Sequence, residues 1–103
     1  MPSTKARIAL SIIIPTKDRP KLLDAAVRSV LDTLPQKNAE VIIVDDRSTP
    51  PVMETLQISD SHLRVIVSDA SAGASGARNF GVLQALGHRI LFLDDDDLML
   101  SGY

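Results

Sequence analysis

The 103-residue chain has no cysteine and no tryptophan. Without thiols it can form neither disulfides nor zinc–thiolate sites, and such a composition fits a reducing compartment. Aromatic residues make up only 3%, too few for the stacking platform on which single-stranded nucleic acid lies. The formal net charge is −2, so neither nucleic acid nor an anionic membrane surface is favoured as a bulk partner. No apolar run approaches the roughly 18 residues of a membrane span. The run that follows the basic start, Met1 to Arg7, is short and broken by Pro15, so it does not read as a signal peptide.

What remains is an ordinary globular composition, 45% hydrophobic and 23% charged, in a length that predicts one domain. At this size roughly two-thirds of the unfolded chain's surface can be buried, enough for a modest core. The small net charge conceals clustering: of 13 acidic residues, six lie in Asp45-Asp46 and Asp94 to Asp97. The second cluster closes an apolar stretch, Ile90-Leu91-Phe92-Leu93. Four adjacent carboxylates ionise together at low cost only where water or a cation screens them. Delivered by a strand to a sheet edge, they are hard oxygen ligands suited to Mg²⁺ or Mn²⁺. The plainer alternative is a solvated acidic loop after a buried strand.

Hydrophobic patterning orders the chain. Residues 7–14 are rich in β-branched residues and nearly continuous in hydrophobicity, as in a strand buried on both faces. Pro15 is expected to stop this strand, and Thr16 to Arg19 form a polar loop. Leu22, Leu23, Ala26, Val27, Val30, Leu31 and Leu34 recur at helical spacing, predicting a helix from about Pro20 to Leu34. Asp18 or Arg19 would cap it, Pro20 suits its first turn, and Pro35 would end it. Residues 40–44 form a second buried strand that ends in Asp45-Asp46. A short helix over 51–58 is expected, capped by Ser48 or Thr49 and carrying Val52, Met53 and Leu56 inward. Residues 63–67 form a third strand, and 68–76 a loop of small residues. A third helix runs from about Ser75 to Leu86, with Ala77, Phe80, Leu83 and Leu86 on one face and Gly87 as its stop. The fourth strand spans 89–93. There is no internal repeat, linker or low-complexity segment.

This β-α-β-α-β-α-β order with short connections predicts an α/β fold: a parallel, Rossmann-like sheet of about four strands with helices on both faces. In such a sheet ligands bind beyond the carboxyl ends of the strands, and every unusual feature of the chain falls there. The first end brings Pro15, Thr16, Lys17, Asp18 and Arg19, the second Asp45 and Asp46. The third brings the small-residue loop and then Arg78, and the fourth the aspartates. Gly73 and Gly76 allow close backbone approach, and the following helix N-terminus favours an anion. Neither the P-loop nor the dinucleotide fingerprint is present. His62 and His88 read as surface residues, and no Ser/His/Asp arrangement is legible.

Residues 11–16 (Ser-Ile-Ile-Ile-Pro-Thr), 41–49 (Val-Ile-Ile-Val-Asp-Asp-Arg-Ser-Thr), 76–81 (Gly-Ala-Arg-Asn-Phe-Gly) and 92–97 (Phe-Leu-Asp-Asp-Asp-Asp) together resemble the nucleotide-binding half of a family 2 glycosyltransferase of GT-A fold. The resemblance spans residue 8 to the end. It implies that Pro15 and Thr16 line a nucleotide pocket, with Asp18 and Arg19 of the same strand end in the donor site. It implies further that one of Asp45 and Asp46, Asp46 for preference, accepts the uracil N3–H or its counterpart, Asp45 facing the same pocket, and that Arg78 lies near the base or diphosphate. Asp94-Asp95-Asp96 correspond to the family's D-x-D motif: Asp94 or Asp95 faces the ribose or sugar, and Asp96 binds Mg²⁺ or Mn²⁺. Asp97 matches a position often acidic in such enzymes.

The implied activity is that part of a metal-dependent inverting glycosyltransferase which binds a nucleotide-diphospho-sugar, most simply a UDP-sugar. The chain departs from the pattern in lacking a visible general base and an acceptor half. The expectation is therefore a single, truncated domain, 1–103, inactive alone, cytoplasmic because donors are, and self-associating through the exposed fourth strand. Two other readings compete. One is a non-catalytic nucleotide-binding or assembly module. The other is a receiver-like Mg²⁺ domain, which would place its acidic pair after the first strand rather than the second.

Overall fold

The computed structural model describes residues 8–34, 38–68 and 73–98. Seven elements alternate along the chain: β1 (Ile8–Thr16), α1 (Pro20–Thr33), β2 (Ala39–Asp45), α2 (Val52–Thr55), β3 (Leu63–Val67), α3 (Gly73–Gln84) and β4 (Gly87–Phe92). The four strands form one parallel sheet in the order β3-β2-β1-β4. The predicted element order, the parallel sheet and the two helical layers are all present.

The two central strands carry the β-branched runs, and burial explains why. Ile12, Ile13, Ile14, Val41, Ile42, Ile43 and Val44 are fully inaccessible. Strand residues alternate between faces, so these runs divide into two cores. Ile12, Ile14, Val41 and Ile43 pack with Leu23, Val27 and Val30 of α1 and Val52 of α2. Ile13, Ile42 and Val44 pack with Ala77 of α3.

Pro15 does not end β1. The strand continues to Thr16, with Pro15 in register with Val44 and Thr16 with Asp45. The backbone groups of Ile13 face β4, where the Ile13 carbonyl accepts the Leu93 N–H at 3.0 Å. Pro15, two residues on, turns the same edge outward past the end of β4, so its missing N–H breaks no bond of the ladder.

α1 begins at Pro20, with Arg19 in the N-cap position but making no side-chain cap bond, and Leu34 follows its last residue. Asp18 adopts a left-handed conformation, φ 55°, which aspartate tolerates better than most residues. Its N–H donates to Ser48 Oγ and its Oδ1 accepts the Thr49 N–H. That ties the loop after β1 to the loop after β2. Pro35 lies outside the described residues, as do the basic start, residues 69–72 of the small-residue loop and residues 99–103.

α2 is shorter than expected and Pro51, not Ser48 or Thr49, precedes it. Val52 is buried and Leu56, four residues on, packs against the same core. Met53 is exposed, because the next residue along a helix is turned about 100° away.

The predicted apolar face of α3 is also corrected. Ala77 is buried and Phe80 packs against the core, whereas Leu83 is 80% and Leu86 63% exposed. Steps of three residues drift about 60° each round a helix of 3.6 residues per turn, so that row leaves the sheet. The contact line runs through Ala77 and Gly81. A Cβ on Gly81 would lie 2.7 Å from Ile13 Cγ2, so the helix approaches the sheet more closely than a larger residue allows. Gly87 is not a helix stop. It opens β4, paired with Ile8, and a Cβ there would meet the Ser11 backbone nitrogen at 2.7 Å.

Candidate functional site

The carboxyl ends of β1, β2 and β4 and the start of α3 surround an open cleft of about 330 Å³. Pro15, Thr16, Lys17, Arg19, Asp46, Gly73, Ala77, Arg78, Asp94, Asp95 and Asp96 line it. Parallel pairing brings these ends together: Thr16 is in register with Asp45, and the Asp46 N–H donates to the Thr16 carbonyl at 2.9 Å. β4 ends at Phe92, and the chain then turns over the rim with an Asp97 N–H to Asp94 carbonyl bond of 3.0 Å.

The adjacent acids of β2 have different fates. Asp45 is buried, and both carboxylate oxygens are taken by backbone donors: Oδ1 accepts the Ser48 N–H at 2.8 Å and Oδ2 the Val52 N–H at 3.0 Å. Asp45 thus folds the loop and starts α2, and it does not line the cleft. Asp46 does line it. Among the described residues its Oδ1 is buried with no hydrogen-bond partner, and Arg47 Nε lies 4.0 Å away. A buried acceptor without a partner costs about 1–3 kcal/mol, an expense that a donor entering the cleft would offset.

The four aspartates divide in the same manner. Asp95 is buried, with Oδ2 accepting the Thr16 hydroxyl at 2.8 Å and Oδ1 facing Arg19 Nη1 at 3.3 Å. It braces the acidic turn against β1. Asp94, Asp96 and Asp97 are exposed, and one oxygen from each lies within 4.8 Å of the others. Two of them face arginines, Asp94 Oδ1 with Arg78 Nη2 at 2.8 Å and Asp96 Oδ2 with Arg19 Nη1 at 3.8 Å. Converging carboxylate oxygens are the donors that a hard divalent cation takes, so this set could hold Mg²⁺ or Mn²⁺.

Most of the residues nominated from sequence therefore meet: Pro15, Thr16, Arg19, Asp46, Arg78, Asp94, Asp95 and Asp96 share one cleft. Asp18 does not. It lies in a neighbouring recess with Ser48, Thr49 and Pro50 and serves loop geometry. Lys17, which the sequence places at the same strand end without a role, also lines the cleft. His62 pairs with Asp60 at 2.9 Å, remote from the cleft lining, and His88 is exposed. The His62 backbone N–H, then its ring, hold the Asp60 carboxyl below the usual aspartate range.

Comparison with known proteins identifies the family. The model of the family described as "Glycosyl transferase family 2" matches residues 11–103. The chain is 38% identical over 97 residues to the GalNAc(5)-diNAcBac-PP-undecaprenol beta-1,3-glucosyltransferase of Campylobacter jejuni, covering 90% of this chain and 31% of that protein. The S. aureus TarS 1-349 structure in complex with UDP aligns with a TM-score of 0.67 at 27% identity, over 87% of this chain and 28% of that one. The mannosyltransferase PcManGT from Pyrobaculum calidifontis, solved with GDP-Man and Mn²⁺, aligns with a TM-score of 0.79 over 92% of this chain and 29% of that one. At 22% identity this last match is a likeness of fold alone. The chain spans well under half the length of the curated relatives it matches.

Proposed function

The chain belongs to glycosyl transferase family 2, and from that premise we propose that its cleft is the donor site of a metal-dependent inverting glycosyltransferase, taking a nucleoside-diphosphate sugar and a UDP-sugar first. The observation that supports this reading is the buried Oδ1 of Asp46, without a hydrogen-bond partner among the described residues, in the cleft that the acidic turn also lines. An imide N–H of a nucleobase is a donor of the required kind.

Within this reading each residue has a chemical task. Asp46 accepts from the base, and Pro15 and Thr16 form the wall beside it. Asp95 is engaged by Thr16 and Arg19, which leaves Asp94 to face the ribose or sugar. Asp96, with Asp94 and Asp97, would hold Mg²⁺ or Mn²⁺, which when bound supplies Lewis-acid stabilisation to the leaving diphosphate. Lys17, Arg19 and Arg78 supply positive charge to the same group.

Among the described residues no helix is long and apolar enough to cross a membrane. The partners proposed are the donor and a second copy of the chain, the latter because β4 is an edge strand with Ile90 and Phe92 partly exposed.

The decisive experiment is calorimetric titration of the chain with UDP, with and without Mn²⁺. Metal-dependent binding is expected. Its absence at millimolar ligand refutes the donor-site reading.

A further inference from the structure

Two of the three carboxylates that could share a cation already face arginines. Arg78 Nη2 is 2.8 Å from Asp94 Oδ1, and Arg19 Nη1 is 3.8 Å from Asp96 Oδ2 and 3.3 Å from Asp95 Oδ1. A divalent ion among Asp94, Asp96 and Asp97 would therefore arrive beside a guanidinium of like charge. That repulsion opposes uptake of the metal alone. A diphosphate entering with the metal reverses the sign, since it attracts both.

Arg19 is built to change partners. Its side chain is half-exposed, and although it occupies the N-cap position of α1 it makes no cap bond, so its departure leaves the helix start unaltered. Asp95 keeps the Thr16 hydroxyl at 2.8 Å, so the brace between β1 and the acidic turn survives without the arginine. A guanidinium pairs with phosphate through the same planar fork that it offers a carboxylate.

We propose that Arg19 is an exchangeable internal counter-ion. It neutralises Asp96 while the cleft is empty and transfers to the diphosphate when the metal–nucleotide complex enters, so that cation and nucleoside diphosphate bind with positive coupling. The proposal rests on the donor-site reading above and adds a thermodynamic property to it. Linkage makes the coupling reciprocal: whatever factor UDP contributes to Mn²⁺ affinity, Mn²⁺ contributes to UDP affinity.

The test uses Arg19→Gln and Arg19→Lys. Mn²⁺ binding alone is followed by the electron paramagnetic resonance signal of the free ion, and UDP binding by calorimetry at saturating Mn²⁺. Against a divalent ion, a unit positive charge about 4–6 Å away in water is worth roughly a tenfold to thirtyfold change in affinity. Arg19→Gln is expected to bind Mn²⁺ alone about tenfold tighter than wild type or more, to bind UDP with Mn²⁺ more weakly, and to show a coupling factor moved toward one. Arg19→Lys keeps the charge without the planar fork and is expected to retain wild-type Mn²⁺ affinity, with a coupling factor between those of wild type and Arg19→Gln. If wild type shows coupled binding while Arg19→Gln binds Mn²⁺ no more tightly and keeps the full coupling, the counter-ion role is refuted and the donor site stands. If wild type shows no Mn²⁺-dependent UDP binding, both fall.

Discussion

Replacing Glu40 by alanine removes a charged acceptor buried at the opposite end of the sheet from the cleft. Glu40 Oε2 accepts the Ser11 hydroxyl at 2.7 Å and the Leu86 N–H at 2.8 Å, and Oε1 accepts Arg64 Nε at 3.2 Å. Ser11 Oγ in turn accepts the Gly87 N–H at 2.8 Å, while Arg64 reaches the Gln84 carbonyl at the end of α3. One carboxylate thereby joins β1, β2, β3 and the turn that leads into β4. Hydrogen bonds to a charged group contribute about 1.5–3 kcal/mol each. The Arg64 pair is partly solvated and contributes about 1 kcal/mol or less. Because the bonds share one network they do not add, and Glu40→Ala leaves the buried Ser11 hydroxyl and the Leu86 N–H without this acceptor, each at about 1–3 kcal/mol. Against a domain stability of about 5–15 kcal/mol, Glu40→Ala is expected to lower the urea midpoint sharply with little change in the dependence on denaturant. Glu40→Gln keeps the shape but loses one acceptor oxygen, and its loss should be smaller. A Ser11→Ala/Glu40→Ala cycle should show coupling of about 1 kcal/mol or more. A Glu40→Ala loss under 1 kcal/mol, measured by circular dichroism, refutes the network as the lock of this end of the sheet.

Three further outcomes are expected. Gly87→Ala places a Cβ 2.7 Å from the Ser11 backbone nitrogen and 2.8 Å from the Leu10 carbonyl carbon, atoms that cannot swing aside; an overpacking loss of about 1–3 kcal/mol should appear in the same denaturation assay. The Asp60 carboxyl should titrate below the usual aspartate range by NMR, and remain below it in His62→Ala, because the largest cause is the His62 backbone N–H. A depressed carboxyl stabilises the fold above its unfolded pKa, and that contribution disappears as pH falls through the folded value. Sedimentation of the wild-type chain at micromolar concentration should show self-association, and a lysine at Phe92, an exposed position of the edge strand, should abolish it.

How much of this was legible before the structure depends on what each residue answers to. The strands were legible because a strand buried on both faces must be apolar at nearly every position, and Ile12 to Ile14 and Val41 to Val44 are. The cleft was legible because parallel pairing puts every strand's carboxyl end on one rim. Errors arose where a second element decided the outcome. Pro15 is tolerated because β4 stops short of it. The inner face of α3 is set by Ala77 and Gly81, whose small size matters only once Ile13 and Val44 are opposite. Glu40 falls within the second buried strand expected from sequence, and only its register with Ser11 shows it to be a partner.

The acidic residues carry the same argument to the site itself. Asp45 and Asp46 are chemically identical neighbours, as are Asp94 to Asp97, and only the family resemblance assigns members of each group different roles. Hydrogen-bond supply divides them. Asp45 is saturated by two backbone donors, and Asp95 is buried with one oxygen on the Thr16 hydroxyl of β1, so both are committed to shape. Asp46 retains a buried oxygen without a hydrogen-bond partner among the described residues, and Asp94 and Asp96 are held by arginine side chains that are themselves partly exposed. A backbone amide cannot leave its acceptor without unfolding the loop, whereas a side chain on the surface can rotate away. The carboxylates available to a ligand are accordingly those whose present partners are mobile or missing, a distinction of partner chemistry and not of residue type.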